Sequence, residues 1–115
     1  MTERLTPHAA LAALARDKDQ LPYVELFAHG SLSVEIYRPV GVDKQTPHTR
    51  DEVYVVVSGS GEFVNGGVRK PFQPGELLFV PAGIEHRFEN FSDDFATWVI
   101  FYGPEGGEQS TQDPA

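Results

Sequence analysis

The sequence predicts an all-β fold, an antiparallel sandwich or barrel preceded by one short helix. Three observations carry this expectation. Apolar residues alternate with period two over most of the chain, Gly, Pro and Asn recur between those runs, and helical spacing is confined to the N-terminal segment.

The elements follow in order. Thr6-Pro7 reads as an N-cap followed by proline at the first helical position, and the Ala/Leu-rich run His8 to Arg16 as a short helix on the outside of the domain. His8, in its first turn, is expected at the surface. After Leu21-Pro22 the period changes to two. Val24, Leu26 and Ala28 share one face, as do Leu32, Val34 and Ile36, with a tight turn at His29-Gly30 that leaves His29 exposed. The run "VYVVVSGSGEFV" reads as a second strand pair around Gly59-Ser60-Gly61, and Asn65-Gly66 as a type I′ hairpin leading into Val68 to Phe72. Gln73-Pro74-Gly75 turns the chain into the Leu77 strand. The Pro81-Gly83 turn, a strand containing His86, the solvated Asp93-Asp94 turn and a last strand "FATWVIFY" complete about eight short strands. Residues 1–20 are thus a helical segment, 21–103 one β domain, and 104–115, polar and rich in Gly and Pro, a tail expected to be disordered.

Composition narrows the function. A chain of 115 residues with 40% hydrophobic content supports a single modest core. A net charge of −8 without Lys/Arg clusters argues against nucleic acid, and the lack of cysteine removes thiol catalysis, disulfides and zinc-thiolate sites. No apolar run suits a membrane span or a signal peptide, so the expectation is a soluble, cytoplasmic protein that handles a small molecule.

His48 and Glu52 are four apart in a region that reads as strand, and an even separation places them on one face. Arg50 and Tyr54 share that parity. An imidazole and a carboxylate entering a β interior need partners, and a divalent metal would satisfy both, with His86 supplied by the later strand.

The stretch Gly75-x5-Pro81-x-Gly83-x2-His86-x3-Asn90 resembles the second cupin motif, G-x5-P-x-G-x2-H-x3-N, at every fixed position. His48-x3-Glu52-x6-Gly59 is similar to the latter part of the first, G-x5-H-x-H-x3-4-E-x6-G. The resemblance covers Leu32 to Tyr102 and implies a cupin β-barrel, also called a double-stranded β-helix or jelly roll. It departs at one ligand position, where Thr46 stands in place of the first histidine, and Gly41 falls one residue late. An irregularity at Pro47 would bring Gln45 toward the vacant ligand direction.

The resemblance therefore implies a metal set of His48, Glu52 and His86, with Gln45 as the fourth donor. Two imidazoles and a carboxylate suit Fe(II), while Mn, Ni, Co and Zn also accept these donors. The implied activity is that of a metal-dependent, dioxygenase-like enzyme acting on a small metabolite. Isomerase or lyase chemistry and a non-catalytic binding cupin stand as alternatives, as does a metal-free barrel. Arg50, Tyr54 and Tyr102 are the catalytic candidates, Arg50 for a substrate carboxylate and the tyrosines for proton movement. Phe88 and Trp98 are further candidates for the pocket wall. Assembly is expected as a homodimer through the N-terminal strands around Tyr23 to Tyr37.

Overall fold

The structure is a computed structural model that describes residues 4–109. Helix α1 spans Pro7–Arg16, capped by Thr6, whose hydroxyl accepts from the Ala9 amide at 3.1 Å. Eight strands follow: β1 Tyr23–His29, β2 Leu32–Tyr37, β3 Asp51–Ser58, β4 Gly61–Asn65, β5 Val68–Phe72, β6 Leu77–Val80, β7 His86–Glu89 and β8 Ala96–Tyr102. They form a five-stranded sheet in the order β1-β2-β8-β3-β6 and a three-stranded sheet in the order β5-β4-β7, with every pairing antiparallel.

The two sheets bury an aromatic core between them. Phe88 lies 4.9 Å from Tyr54 and 4.6 Å from Phe95, centroid to centroid, and Phe63, Phe72 and Val80 complete the centre. The run read as a β3–β4 hairpin is a corner instead. β3 belongs to the large sheet and β4 to the small one, and Gly59 lets the chain pass between them. Its φ is +84°, and a Cβ there would lie 2.5 Å from the Phe95 Cα. The β4–β5 hairpin forms as expected, one residue later than read, with Gly66 and Gly67 both at positive φ between paired Asn65 and Val68.

Register decides which side chains face the core. Residues paired across antiparallel strands share a face, so Glu52–Phe101, Tyr54–Val99 and Val99–Glu35 all point inward. Val34 and Ile36, read as the apolar face of β2, lie on the opposite side in rows with Ile100, Val53 and Phe79, and with Trp98, Val55 and Leu77. The inward residues of β2 are Ser33, Glu35 and Tyr37. A bulge between Glu25 and Phe27 also breaks the simple alternation expected along β1.

Pro104–Gln109, expected to open a disordered tail, lie against the loop before β3. The Gly106 amide donates to the Thr49 carbonyl at 2.6 Å and the Glu108 amide to Asp51 Oδ2 at 2.7 Å. Residues 110–115 of the expected tail lie outside the described residues.

Candidate metal centre

His48 precedes β3 rather than lying on it, so strand parity is not what brings it to Glu52. Backbone bonds do that. The His48 carbonyl accepts from the Gly83 amide at 2.7 Å, tying the Pro81–Gly83 turn to the His48 loop. Gly83 sits at φ +80°, and three residues later His86 opens β7, paired with Asn65. Glu52 pairs with Val80 at the end of β6, beside the same turn. Two turns and a strand end thereby converge on one point.

Here His48, Glu52 and His86 offer ligand atoms all within 4.8 Å of one another. Glu52 and His86 are 1% and 2% exposed, and polar groups so deeply buried need partners. Each imidazole is oriented from behind. His48 Nδ1 lies 2.7 Å from the Arg50 carbonyl oxygen and His86 Nδ1 lies 2.9 Å from that of Ile84. A carbonyl only accepts, so both Nδ1 atoms carry a proton, and in its neutral form each ring turns an Nε2 lone pair toward Glu52. Backbone carbonyls fix the tautomer of metal-ligating histidines in this way.

The centre is short of positive charge. His48 Nε2 contacts Glu52 Oε1, while His86 Nε2 lies 3.2 Å from the same oxygen but off hydrogen-bonding direction. Glu52 Oε2 and His86 Nε2 are buried without a hydrogen-bond partner among the described residues. Burial alone would push His48 down and Glu52 up. Their mutual contact reverses both, with the Arg50 carbonyl adding to it at His48 and His86 adding to it at Glu52, so His48 is raised and Glu52 lowered. A proton on His48 answers one of these contacts. A divalent cation among the three answers them all, so the donor set fits a metal.

Gln45 is placed by its neighbours. Its Nε2 donates to Asp43 Oδ2 at 2.8 Å, and its Oε1 accepts from the Tyr54 hydroxyl at 2.7 Å. The carbonyl oxygen thus faces the Tyr54 side, with one lone pair engaged. Asp43, which the sequence reading passed over, is the buried hub of this region, also accepting from the Tyr37 hydroxyl at 2.5 Å and the Phe88 amide at 2.8 Å. Its only sequence signal was a lone acid inside the loop "GVDKQTP".

The catalytic candidates fare differently. Tyr54 is fully buried, and burial, then the Glu52 charge, lifts its hydroxyl well above the ordinary phenol range, so it stays protonated and is a poor proton donor. Tyr102 pairs with Asp51 and takes the face opposite Glu52, which removes it from the site. Arg50 turns away, its Nε donating to the Gly103 carbonyl at 3.1 Å, and it pairs with neither Asp51 nor Glu85. Trp98 faces outward and Phe88 belongs to the core.

An open cavity of about 930 Å³ reaches the centre, lined at its floor by His48, Glu52 and Phe101 and toward its mouth by residues of α1 and the loop after β2. Glu35 of β2 lines its wall. The sequence reading missed it because Val34 and Ile36 drew attention to the other face.

Residues 33–102 match the Cupin domain family. The chain belongs to the cupin family. This cupin is 36% identical over 85 residues to the uncharacterised Streptomyces coelicolor protein SCO3923, covering 72% of this chain and 81% of that one. A cupin 2 conserved barrel domain protein from Salinispora arenicola superimposes with a TM-score of 0.64 at 22% identity, over 90% of this chain and 89% of that one. A predicted oxalate decarboxylase from Thermotoga maritima gives a TM-score of 0.57 at 21% identity, over 70% and 77% respectively. At such identities the structural likenesses speak to the fold. Among the described residues no helix is long and apolar enough to cross a membrane.

Proposed function

We propose that this cupin is a metal-dependent enzyme acting on a small metabolite held in the cavity, with dioxygenase-like chemistry the leading reading. The observation that carries it is the pair of Nε2 lone pairs and the unpartnered Glu52 Oε2 turned to one point at the cavity floor. Two imidazoles and one carboxylate leave coordination positions open, and a metal bound there would supply Lewis acidity or O2 activation, with Fe(II) favoured. The chain's own contribution is to orient both rings through the Arg50 and Ile84 carbonyls and to bury the Glu52 carboxylate beside them. Phe101, 5.0 Å from the His48 ring, walls the floor.

Metal-assisted isomerase or lyase chemistry, which needs no oxygen, stands as the rival. The burial of Tyr54 and the outward position of Tyr102 disfavour the tyrosine-mediated proton transfer which that rival would use. Elemental analysis of tag-free protein, followed by oxygen uptake on a panel of small diols, catechols and keto acids, tests the proposal. Oxygen consumption supports it, turnover without oxygen replaces it with the rival, and a protein purified and reconstituted without any metal refutes the metal reading.

For assembly, we propose a homodimer that uses β1 and β2. The position of β1 supports it. β1 is an edge strand of the five-stranded sheet, with Tyr23 43% exposed, and a strand edge is safer when covered. Light scattering that returns a monomer mass at micromolar concentration overturns this.

A further inference from the structure

Glu35 stands on the wall of the cavity without a role in the centre. On the inward face it lies opposite Val99, itself opposite Tyr54, so it is two strands across from β3 and one pleat along from Glu52. Strand spacings put the two backbones about 12 Å apart, with both side chains rising into the same space. No hydrogen bond or counter-ion reaches the Glu35 carboxylate from the described residues. Its cross-strand neighbour is another acid, Glu25, which accepts from the Ser33 hydroxyl at 2.8 Å.

The basic residues nearby do not neutralise it. Arg38 lines the cavity, but its guanidinium reaches toward the Asp93 carbonyl at 3.5 Å, and Lys44 is exposed at the mouth. Partial burial and the charges of Glu25 and Glu52 all disfavour an ionised Glu35, and its carboxyl is raised to about 7. A cationic group entering the cavity offsets all three effects at once. Between Glu35 and the centre the inward face is apolar, with Val99 opposite Glu35 and Phe101 opposite Glu52, both lining the cavity. A short hydrocarbon stem fits such a wall.

We propose that Glu35 recognises the cationic nitrogen of the ligand, so that the pocket selects zwitterions, with an ammonium against Glu35 and a carboxylate directed to the His48–Glu52–His86 centre. This rests on the metal reading of that centre. It assigns Glu35 to ligand selection and leaves metal binding to the other three residues. Aminated acids of intermediate length span the two ends, whereas the same acids without nitrogen leave Glu35 unpaired.

Calorimetry on Zn(II)-loaded protein at mildly alkaline pH tests this with two probes, ε-aminocaproate and caproate, on the wild type and Glu35→Gln. Zn(II) affinity is measured first, and a thermal melt confirms that the variant folds. The expected result is that ε-aminocaproate binds the wild type at least about tenfold more tightly than caproate, the scale of one charge-assisted hydrogen bond. Glu35→Gln should abolish that preference while holding Zn(II) within about twofold of the parent. Failure of the wild type to bind Zn(II) refutes the metal reading itself. Intact Zn(II) binding with equal affinities for the probes, with no measurable binding of either, or with a preference that survives Glu35→Gln overturns the assignment of Glu35.

Discussion

Gln45 Nε2 donates to Asp43 Oδ2 at 2.8 Å, and that contact decides which way the amide points. A carboxylate can only accept, so the amide nitrogen faces Asp43 and the carbonyl oxygen faces the Tyr54 hydroxyl. The loop that lacks a histidine at Thr46 therefore presents an oriented neutral oxygen at Tyr54, on the cavity that His48 and Glu52 also line.

The first prediction follows from that orientation. With Gln45 as fourth donor, Gln45→Ala should weaken Zn(II) binding about tenfold and leave the fold intact. Glu52→Ala and His86→Ala should each cost more than about a hundredfold, since each removes a strong ligand from a set of three. Chelator competition gives the constants. An unchanged affinity in Gln45→Ala makes glutamine a bystander, and an unchanged affinity in Glu52→Ala removes the metal centre.

Asp43 carries the second prediction. It is 6% exposed and accepts from the Tyr37 hydroxyl, the Phe88 amide and both nitrogens of Gln45, joining β2 and β7 to the loop. Asp43→Ala strands buried donors as well as deleting bonds to a charged acceptor, so the loss should be about 3 kcal/mol or more. Urea unfolding measures it. A loss below about 1 kcal/mol would show that water or a rearranged loop replaces the carboxylate.

Much of the fold was legible because its signals are local. Thr6-Pro7 capped a helix, the Gly/Pro turns fell between strands, and the motif residues converged as the cupin resemblance implied. What remained hidden depends on which strands pair. Period two places Glu35 and Val34 on opposite faces but does not say which face is inside. Here both faces of β2 hold apolar residues, so Val34 and Ile36 gave a misleading answer. His48 met Glu52 through the Gly83–His48 backbone bond, a contact that strand parity cannot supply. Tyr102 went to the wrong face for its proposed role because Asp51, its partner, alternates with Glu52.

The third prediction separates two glycines of the cupin motifs. Gly59 and Gly75 both have positive φ, at +84° and +87°, yet only Gly59 is pressed against backbone, at Phe95. A methyl group there needs the β3–β4 corner to move, so Gly59→Ala should cost about 4 kcal/mol or prevent folding. At Gly75 a Cβ would meet nothing within 4 Å, and Gly75→Asn should cost only about 1 kcal/mol, the penalty of the left-handed backbone alone. Equal effects in the two variants, read by thermal or urea unfolding, would show that crowding at Phe95 is not what Gly59 relieves.

The last prediction concerns stability against pH in metal-free protein. Glu35 titrates at about 7 when folded, against an ordinary carboxylate value of 4.5, because of burial first and then Glu25 and Glu52. The folded protein thus holds this proton more tightly than the unfolded chain does. Glu35 accordingly costs stability above about pH 7, the cost shrinks as pH falls from about 7 toward 4.5, and it is absent below that. The side chain is partly exposed, so water screening reduces the cost to about 1–2 kcal/mol. Glu35→Gln should therefore raise stability by that amount at mildly alkaline pH, and the gain should vanish at mildly acidic pH. Urea unfolding of parent and variant at both pH values reads the difference directly. A variant that is less stable than the parent at alkaline pH would mean that the Glu35 carboxylate has a stabilising partner, and Glu35 would then not be the unpaired acid of the cavity wall.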